Sequence, residues 1–112
     1  MEIHAMSGHL IRRLNQISVA CFMDRMAQAG LTLTPVQYAA LCAIREYPGI
    51  AQATVAGLVA YDRATLGKVI DRLEARALIL REVSPDDRRA RVLTLTGDGR
   101  ELLDQATPHV QA

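Results

Sequence analysis

Aromatic residues are scarce in this chain. There is no tryptophan, and Phe22, Tyr38, Tyr47 and Tyr61 are its only benzenoid rings. That excludes a core built mainly on rings. Half of the 112 residues are nevertheless apolar, so Leu, Ile, Val and Ala must fill the interior, which favours helices. The length corresponds to one domain. Cysteine is nearly absent as well. Cys21 and Cys42 are two spaced thiols within apolar helical patterns, which excludes a disulfide framework and predicts two small buried hydrophobes. No apolar run approaches the ~18 residues of a membrane span. The N-terminal MEIHAMSGHLIRR lacks the basic-then-apolar order of a signal peptide. A cytoplasmic protein with no membrane partner is expected.

Catalytic and metal-binding patterns are missing too. No Gly-rich phosphate loop, nucleophile–base pair or pair of catalytic carboxylates can be drawn, so the chain is not expected to be an enzyme or to carry a cofactor. His4, His9 and His109 are scattered, without the i, i+4 spacing and partner that a metal site needs. Charge of one sign is also lacking, the net charge being +1. Its distribution is what informs. Between Tyr61 and Arg91 there are eight basic residues and six acidic ones. A generic run of this kind is a solvated, salt-bridged face. Here the bases fall at a helix N-terminus and at a hairpin tip, and that order points elsewhere.

The elements follow from periodicity and punctuation. The spacing predicts a long helix over residues 8–29, with Leu10, Leu14, Ile17, Cys21 and Phe22 recurring at three- and four-residue intervals and Gly30 as its terminator. Thr34, Pro35 and Gln37 make a T-x-x-Q capping box for a second helix, with Val36, Ala40, Leu41 and Ile44 as its buried stripe and Tyr47-Pro48-Gly49 as its end. A short third helix spans about 51–59. Asp62 caps a fourth, in which Leu66, Val69, Ile70 and Leu73 face inward. Gly67 in its middle costs roughly 1 kcal/mol against alanine and lets backbone approach a ligand. Residues 78–83 and 91–95 are strand-like, joined through Ser84-Pro85-Asp86-Asp87. Thr96 can cap a last helix, which Pro108 interrupts or bends. The predicted fold is mainly α with a small two- or three-stranded β-wing, a winged helix-turn-helix.

In a helix-turn-helix the second helix lies in the major groove of duplex DNA with its N-terminal residues at base edges. Arg63 then suits guanine or phosphate, Thr65 phosphate or a thymine methyl, and Lys68 phosphate or guanine. Gln52 and Arg72 complete the helical candidates. On the helix alone, a solvated amphipathic face explains Arg63 and Lys68 equally well. The hairpin tip adds Arg88, Arg89 and Arg91, and Arg88 and Arg89 suit a narrow minor groove. Asp87 beside them would be repelled by phosphate. It makes sense if it bridges Arg89 and aims the guanidinium, reducing the entropy lost on binding.

At this point residues 33–104 resemble the winged-helix core of the MarR (multiple antibiotic resistance regulator) family. The matching pieces are LTPVQYAAL, PGIAQATVAGLV, DRATLGKVIDRLEARALI and DDRRARVLTLTGDGRELL. The most specific part is the D-x-R of Asp87-Arg88-Arg89 followed by Leu95-Thr96. The resemblance implies a homodimeric, ligand-responsive transcription factor, most often a repressor, bound to a pseudopalindrome. It also implies that Arg89 enters the minor groove while Asp87 orients it. Ala64 and Gly67 stand where the family often has Ser or Thr, Ala51 where a Ser often caps, and Ala77 where Gly is common. The family usually extends the last helix and adds another. The expected division is therefore 1–32 for dimerisation and effector contact, 33–96 for DNA binding, and 97–112 as the start of a truncated C-terminal dimerisation helix.

The family commonly binds small phenolic or aromatic carboxylates between the dimerisation helices and the DNA-binding lobe. His9, Arg13 and Gln16 lie on one face of the first helix at i, i+4 and i+7, and arginine with histidine can hold a carboxylate and a ring hydroxyl. An exposed polar face or a dimer contact is the plainer reading of the three. Arg12 replaces Arg13 if the helix is rotated, and Tyr38 is a further pocket-lining candidate. Two alternatives stand beside effector release. One is a thiol-based redox switch at Cys21. The other is a winged helix that binds protein and not DNA, which would not need Asp87 and Arg89 together.

Overall fold

The structure is a computed structural model that describes residues 19–59 and 62–111. Five helices and three short strands follow one another in it: α1 (Val19–Gln28), α2 (Pro35–Glu46), β1 (Ile50–Ala51), α3 (Gln52–Leu58), α4 (Arg63–Ala75), β2 (Ile79–Val83), β3 (Arg91–Leu95) and α5 (Gly97–Gln111). The fold is a winged helix-turn-helix. No helix among the described residues is long and apolar enough to cross a membrane.

Local chemistry sets the boundaries. The predicted capping box is formed: the Gln37 backbone N–H donates to Thr34 Oγ1 at 3.2 Å, and the Thr34 N–H donates to Gln37 Oε1 at 3.0 Å, so two orphan donors at the start of α2 are satisfied. At the far end of α1, Gly30 adopts φ 74°. The Leu31 N–H reaches back to the Met26 carbonyl and the Gly30 N–H to that of Ala27, a Schellman closure. Thr96 caps α5 by accepting the Gly99 N–H at 3.0 Å. A Cβ on Gly99 would overlap the Leu78 carbonyl oxygen, so only glycine lets α5 begin this close to the end of α4.

α2 is the hub. Every residue from Gln37 to Ile44 is buried, against the single stripe that four apolar positions predict. The helix packs against α1, α3, α4, α5 and β3, and small Ala39, Ala40 and Ala43 admit neighbours on faces that larger side chains would block. Around it lie Phe22 and Met26 from α1, Leu66, Ile70 and Leu73 from α4, Ile79 and Leu93 from the sheet, and Leu103 from α5, all fully buried.

The sheet is antiparallel in the order β1-β3-β2. β2 and β3 form the wing hairpin, with Ile79 opposite Leu95 and Val83 opposite Arg91. The third strand is Ile50–Ala51, pairing with Leu93 and Val92. Two residues have no alternation to read, so the helix predicted from 51 instead begins at Gln52, with Ala51 as an N-cap lacking any side-chain bond.

Two expectations fail. Cys42 is buried but Cys21 is exposed. α1 turns Phe22 and Met26 inward at i, i+4, and Cys21 lies a hundred degrees round the helix from Phe22. Pro108 does not interrupt α5, which continues to Gln111. A proline so near the end removes only the bond to the Asp104 carbonyl, and Asp104 lies at the exposed surface, where water can replace it.

Candidate nucleic-acid interface

α4 begins with a carboxylate cap. Asp62 Oδ1 accepts the Thr65 N–H and Oδ2 the Thr65 hydroxyl, both at 2.8 Å. These bonds, the backbone one first and the hydroxyl second, hold the Asp62 carboxyl below its ordinary range. They also change what Thr65 can offer. Its only hydroxyl proton is spent on Asp62, so it has no donor left for a phosphate, and a thymine methyl becomes the better fit of the two predicted partners. Leu66, Ile70 and Leu73 anchor the inner side of α4, leaving Arg63, Lys68 and Arg72 exposed on the outer side.

The wing tip is closed by short polar bonds. Ser84 Oγ accepts the N–H groups of Asp86 and Asp87, and the Ala90 N–H donates to the Asp87 carbonyl. Asp87 Oδ1 accepts the Arg89 backbone N–H at 2.9 Å and lies 3.5 Å from its Nε. The same carboxylate thus closes the turn through the Arg89 backbone N–H and draws the guanidinium toward its own side of the tip. The Arg89 side chain is 92% exposed, so nothing else in the described protein competes for it. Arg91 folds back, donating from Nη1 to the carbonyls of Arg88 and Ala90; it braces the tip while keeping its charge there.

Between the starts of α3 and α4 and the wing lies an open groove of about 640 Å³. Its walls carry four arginines (Arg63, Arg81, Arg89 and Arg91), one carboxylate (Asp87) and the amide of Gln52. Of the predicted DNA contacts, the groove gathers Gln52, Arg63, Asp87, Arg89 and Arg91. Thr65, Lys68, Arg72 and Arg88 lie outside its lining, on the exposed surface. Such a concavity, rich in arginine donors, fits phosphate and base edges.

Arg81 was not among the predicted contacts. From β2 its Nη2 meets Asp71 Oδ1 and Glu74 Oε1 of α4, each at 2.8 Å, with the side chain 24% exposed. Its Nη1 donates to Gln52 Oε1 at 3.5 Å. Asp71 and Glu74 stand at i, i+3, the spacing that puts two side chains on one helix face. That spacing is the signal the sequence carries for the pair; nothing in it says that Arg81 is their partner.

The effector candidates His9, Arg13 and Gln16, with the alternative Arg12, lie outside the described residues. Tyr38 is buried where α1, α2 and α5 meet. Its ring packs edge-on against Phe22 with centroids 6.1 Å apart, and its hydroxyl is 3.2 Å from Thr107 Oγ1. Burial, then the neighbouring Cys42 thiol, pushes the phenol up to about 12. Burial raises Cys42 itself to about 11, so this thiol stays protonated and inert at neutral pH.

Residues 33–90 match the MarR family. The HTH-type transcriptional repressor NicR of Pseudomonas putida is 36% identical over 101 residues, covering 90% of this chain and 63% of NicR. The chain therefore spans under two thirds of that relative. Among solved structures, the transcriptional repressor CouR bound to a 23-mer DNA duplex superposes with a TM-score of 0.77 at 30% identity, over 96% of this chain and 71% of CouR. BpsR of Bordetella bronchiseptica, whose structure concerns regulation of its DNA binding by 6-hydroxynicotinic acid, gives 0.75 at 38% identity, over 93% of this chain and 73% of BpsR. With the wing, the capped α4 and these likenesses in agreement, the chain belongs to the MarR family of winged helix-turn-helix regulators.

Proposed function

We propose that this chain is a DNA-binding transcriptional repressor, acting as a homodimer on a pseudopalindromic operator and released by a small aromatic or phenolic acid. The observation that carries the reading is the wing: an exposed arginine, Arg89, held by Asp87 at a braced tip across a groove from Arg63. A merely solvated tip needs no acid that aims a base. Residues 33–96 supply the DNA contacts, while 1–32 and 97–112 supply dimerisation. Two such units place two wings and two α4 helices on half-sites roughly one helical turn apart. Arg63, Arg88 and Arg89 take the most exposed contacts, Lys68 and Arg72 reach flanking phosphates, and Gln52, Asp87 and Arg91 support them.

The test is titration of a duplex that the wild-type protein has selected from a randomised pool. Arg89→Ala is expected to weaken binding at least ~10-fold and to lower the slope of log K against log salt by about one unit. Unchanged affinity overturns the wing assignment.

For the effector, the support is a relative whose DNA binding responds to 6-hydroxynicotinic acid and the convergence of α1, α2 and α5 at the Tyr38 phenol. His9, Arg13, Gln16 and Tyr38 are proposed to hold the acid. 6-Hydroxynicotinic acid is the first probe.

A further inference from the structure

The groove has two walls that must keep a set separation to meet a duplex, α4 on one side and the wing on the other. One side chain ties them. Arg81, on the strand that leads into the wing, grips Asp71 and Glu74 on α4 at 2.8 Å each and reaches Gln52 at the start of α3 at 3.5 Å. We infer that Arg81 is a positioning residue, a latch whose ion pairs fix the wing relative to α4 and so set the geometry with which Arg89 and Arg63 meet DNA. The inference rests on the DNA-binding reading above.

Three features of the site support a latch over the obvious rival, a phosphate contact. First, Arg81 is largely covered, unlike the 92% exposed Arg89. Second, both carboxylates are on the same helix face and converge on a single nitrogen, Nη2. A guanidinium engaged by two acids has little net charge to offer a phosphate. Third, the bond to Gln52 extends the tie to α3, so one residue joins both helices of the helix-turn-helix to the wing. Exposed single ion pairs contribute little. A planar fork shared among three partners holds an orientation that one contact would not.

The electrostatics give the proposal an unusual sign. Asp71 and Glu74 are negative charges beside the groove. If they did nothing but repel phosphate, neutralising them would tighten DNA binding, and it would also release Arg81 as an extra cation. As latch partners, their loss must instead loosen the wing and weaken binding.

The experiment compares full-length wild type, Arg81→Gln, the pair Asp71→Asn with Glu74→Gln, the combination of all three, and Arg89→Ala. Each is titrated against the duplex selected by the wild type across a range of salt. Arg81→Gln and the carboxylate pair are each expected to weaken binding about tenfold, and the combination no further, since all remove one shared interaction. The salt slope should stay within half a unit of wild type (a lost phosphate contact lowers it by about 0.9). Tighter binding by the carboxylate pair, additive losses, unchanged affinity, or a slope that falls by a full unit in Arg81→Gln would each overturn the latch. If Arg81→Gln does not fold, the carboxylate pair on the outer face of α4 decides alone through the sign of its effect. A wild type that selects no duplex overturns the DNA-binding reading, whereas a weakened Arg89→Ala beside an unaffected Arg81→Gln overturns only the latch.

Discussion

Ala77 turns the chain out of α4 at φ 59°, in the left-handed region where a Cβ meets the following carbonyl oxygen. The Leu78 N–H bonds to the Leu73 carbonyl and the Ala77 N–H to that of Glu74, so the turn is a Schellman closure with alanine in the position that usually holds glycine. The Thr96 hydroxyl also donates to the Ala77 carbonyl at 2.7 Å, which keeps the strained residue in place. Ala77 is exposed, so glycine there loses no packing. Relief of about 1–2 kcal/mol of left-handed strain, less about 0.4–1 kcal/mol from a more flexible unfolded chain, predicts that Ala77→Gly stabilises the fold by roughly 0.5–1 kcal/mol. A urea titration should show a higher midpoint at unchanged m-value; a lower midpoint would mean that the neighbouring bonds depend on the methyl. At this scale the sequence was legible where a residue's chemistry is self-evident. Thr34, Asp62 and Thr96 were readable as caps, and Asp87 as the partner of Arg89. It was illegible where two elements meet. Arg81 looked like one base among eight because nothing in the chain order says that β2 lies against the outer face of Asp71 and Glu74.

The helices show the same division. Period and caps located α2, α4 and α5, but not the all-round burial of α2, since only tertiary neighbours decide which faces of an alanine-rich helix are covered. β1 escaped notice because two residues carry no period, and Pro108 misled because a proline costs a helix little in its last turn. The junction of α1, α2 and α5 has a testable consequence. Tyr38 hydrogen-bonds Thr107, whose own hydroxyl bonds the Leu103 carbonyl at 2.8 Å, a chain from the centre of α2 into α5. Both the Tyr38 phenol, raised from 10.0 to about 12, and the Cys42 thiol, raised from 9.0 to about 11, are held protonated in the folded state. A group whose folded value is raised contributes its stability below the unfolded value and loses it as pH climbs through the folded one. Stability should therefore fall between pH 9 and 12, before the last of the two has titrated. Tyr38→Phe should lower stability at neutral pH by about 0.5–1.5 kcal/mol, the worth of one hydrogen bond, and make the alkaline fall shallower. Thermal melts across that range check both parts; an equally steep fall in the variant would place the titration elsewhere.

For the whole molecule, a net charge of +1 means that affinity for a polyanion has to come from arrangement. Arg63 of α4 and Arg81, Arg89 and Arg91 of the wing line one groove, with Lys68, Arg72 and Arg88 exposed outside it, while Asp71, Glu74 and Asp87 are each engaged by an arginine and repel phosphate less than bare carboxylates would. On the proposed reading, release from DNA is caused by a ligand that favours an arrangement of the two proposed DNA-reading units mismatched to the operator. It need not touch the groove. The proposed effector residues and the wing should accordingly be separable by mutation. Arg13→Ala is expected to bind the selected duplex as wild type does, because residue 13 belongs to the proposed dimerisation segment and not to 33–96. The same variant should need a several-fold higher concentration of an aromatic acid for release, having lost a cation for its carboxylate. A thermal-shift screen of small aromatic carboxylic acids against the full chain identifies a working ligand, since one bound only by the folded state raises the melting temperature with concentration. The decisive comparison is between two curves for that ligand, melting temperature and duplex release, in wild type and Arg13→Ala. Both should move to higher ligand concentration together. Wild-type curves in the variant would remove Arg13 from the effector site, and weakened duplex binding without ligand would instead place it in DNA contact or in the assembly that DNA contact requires.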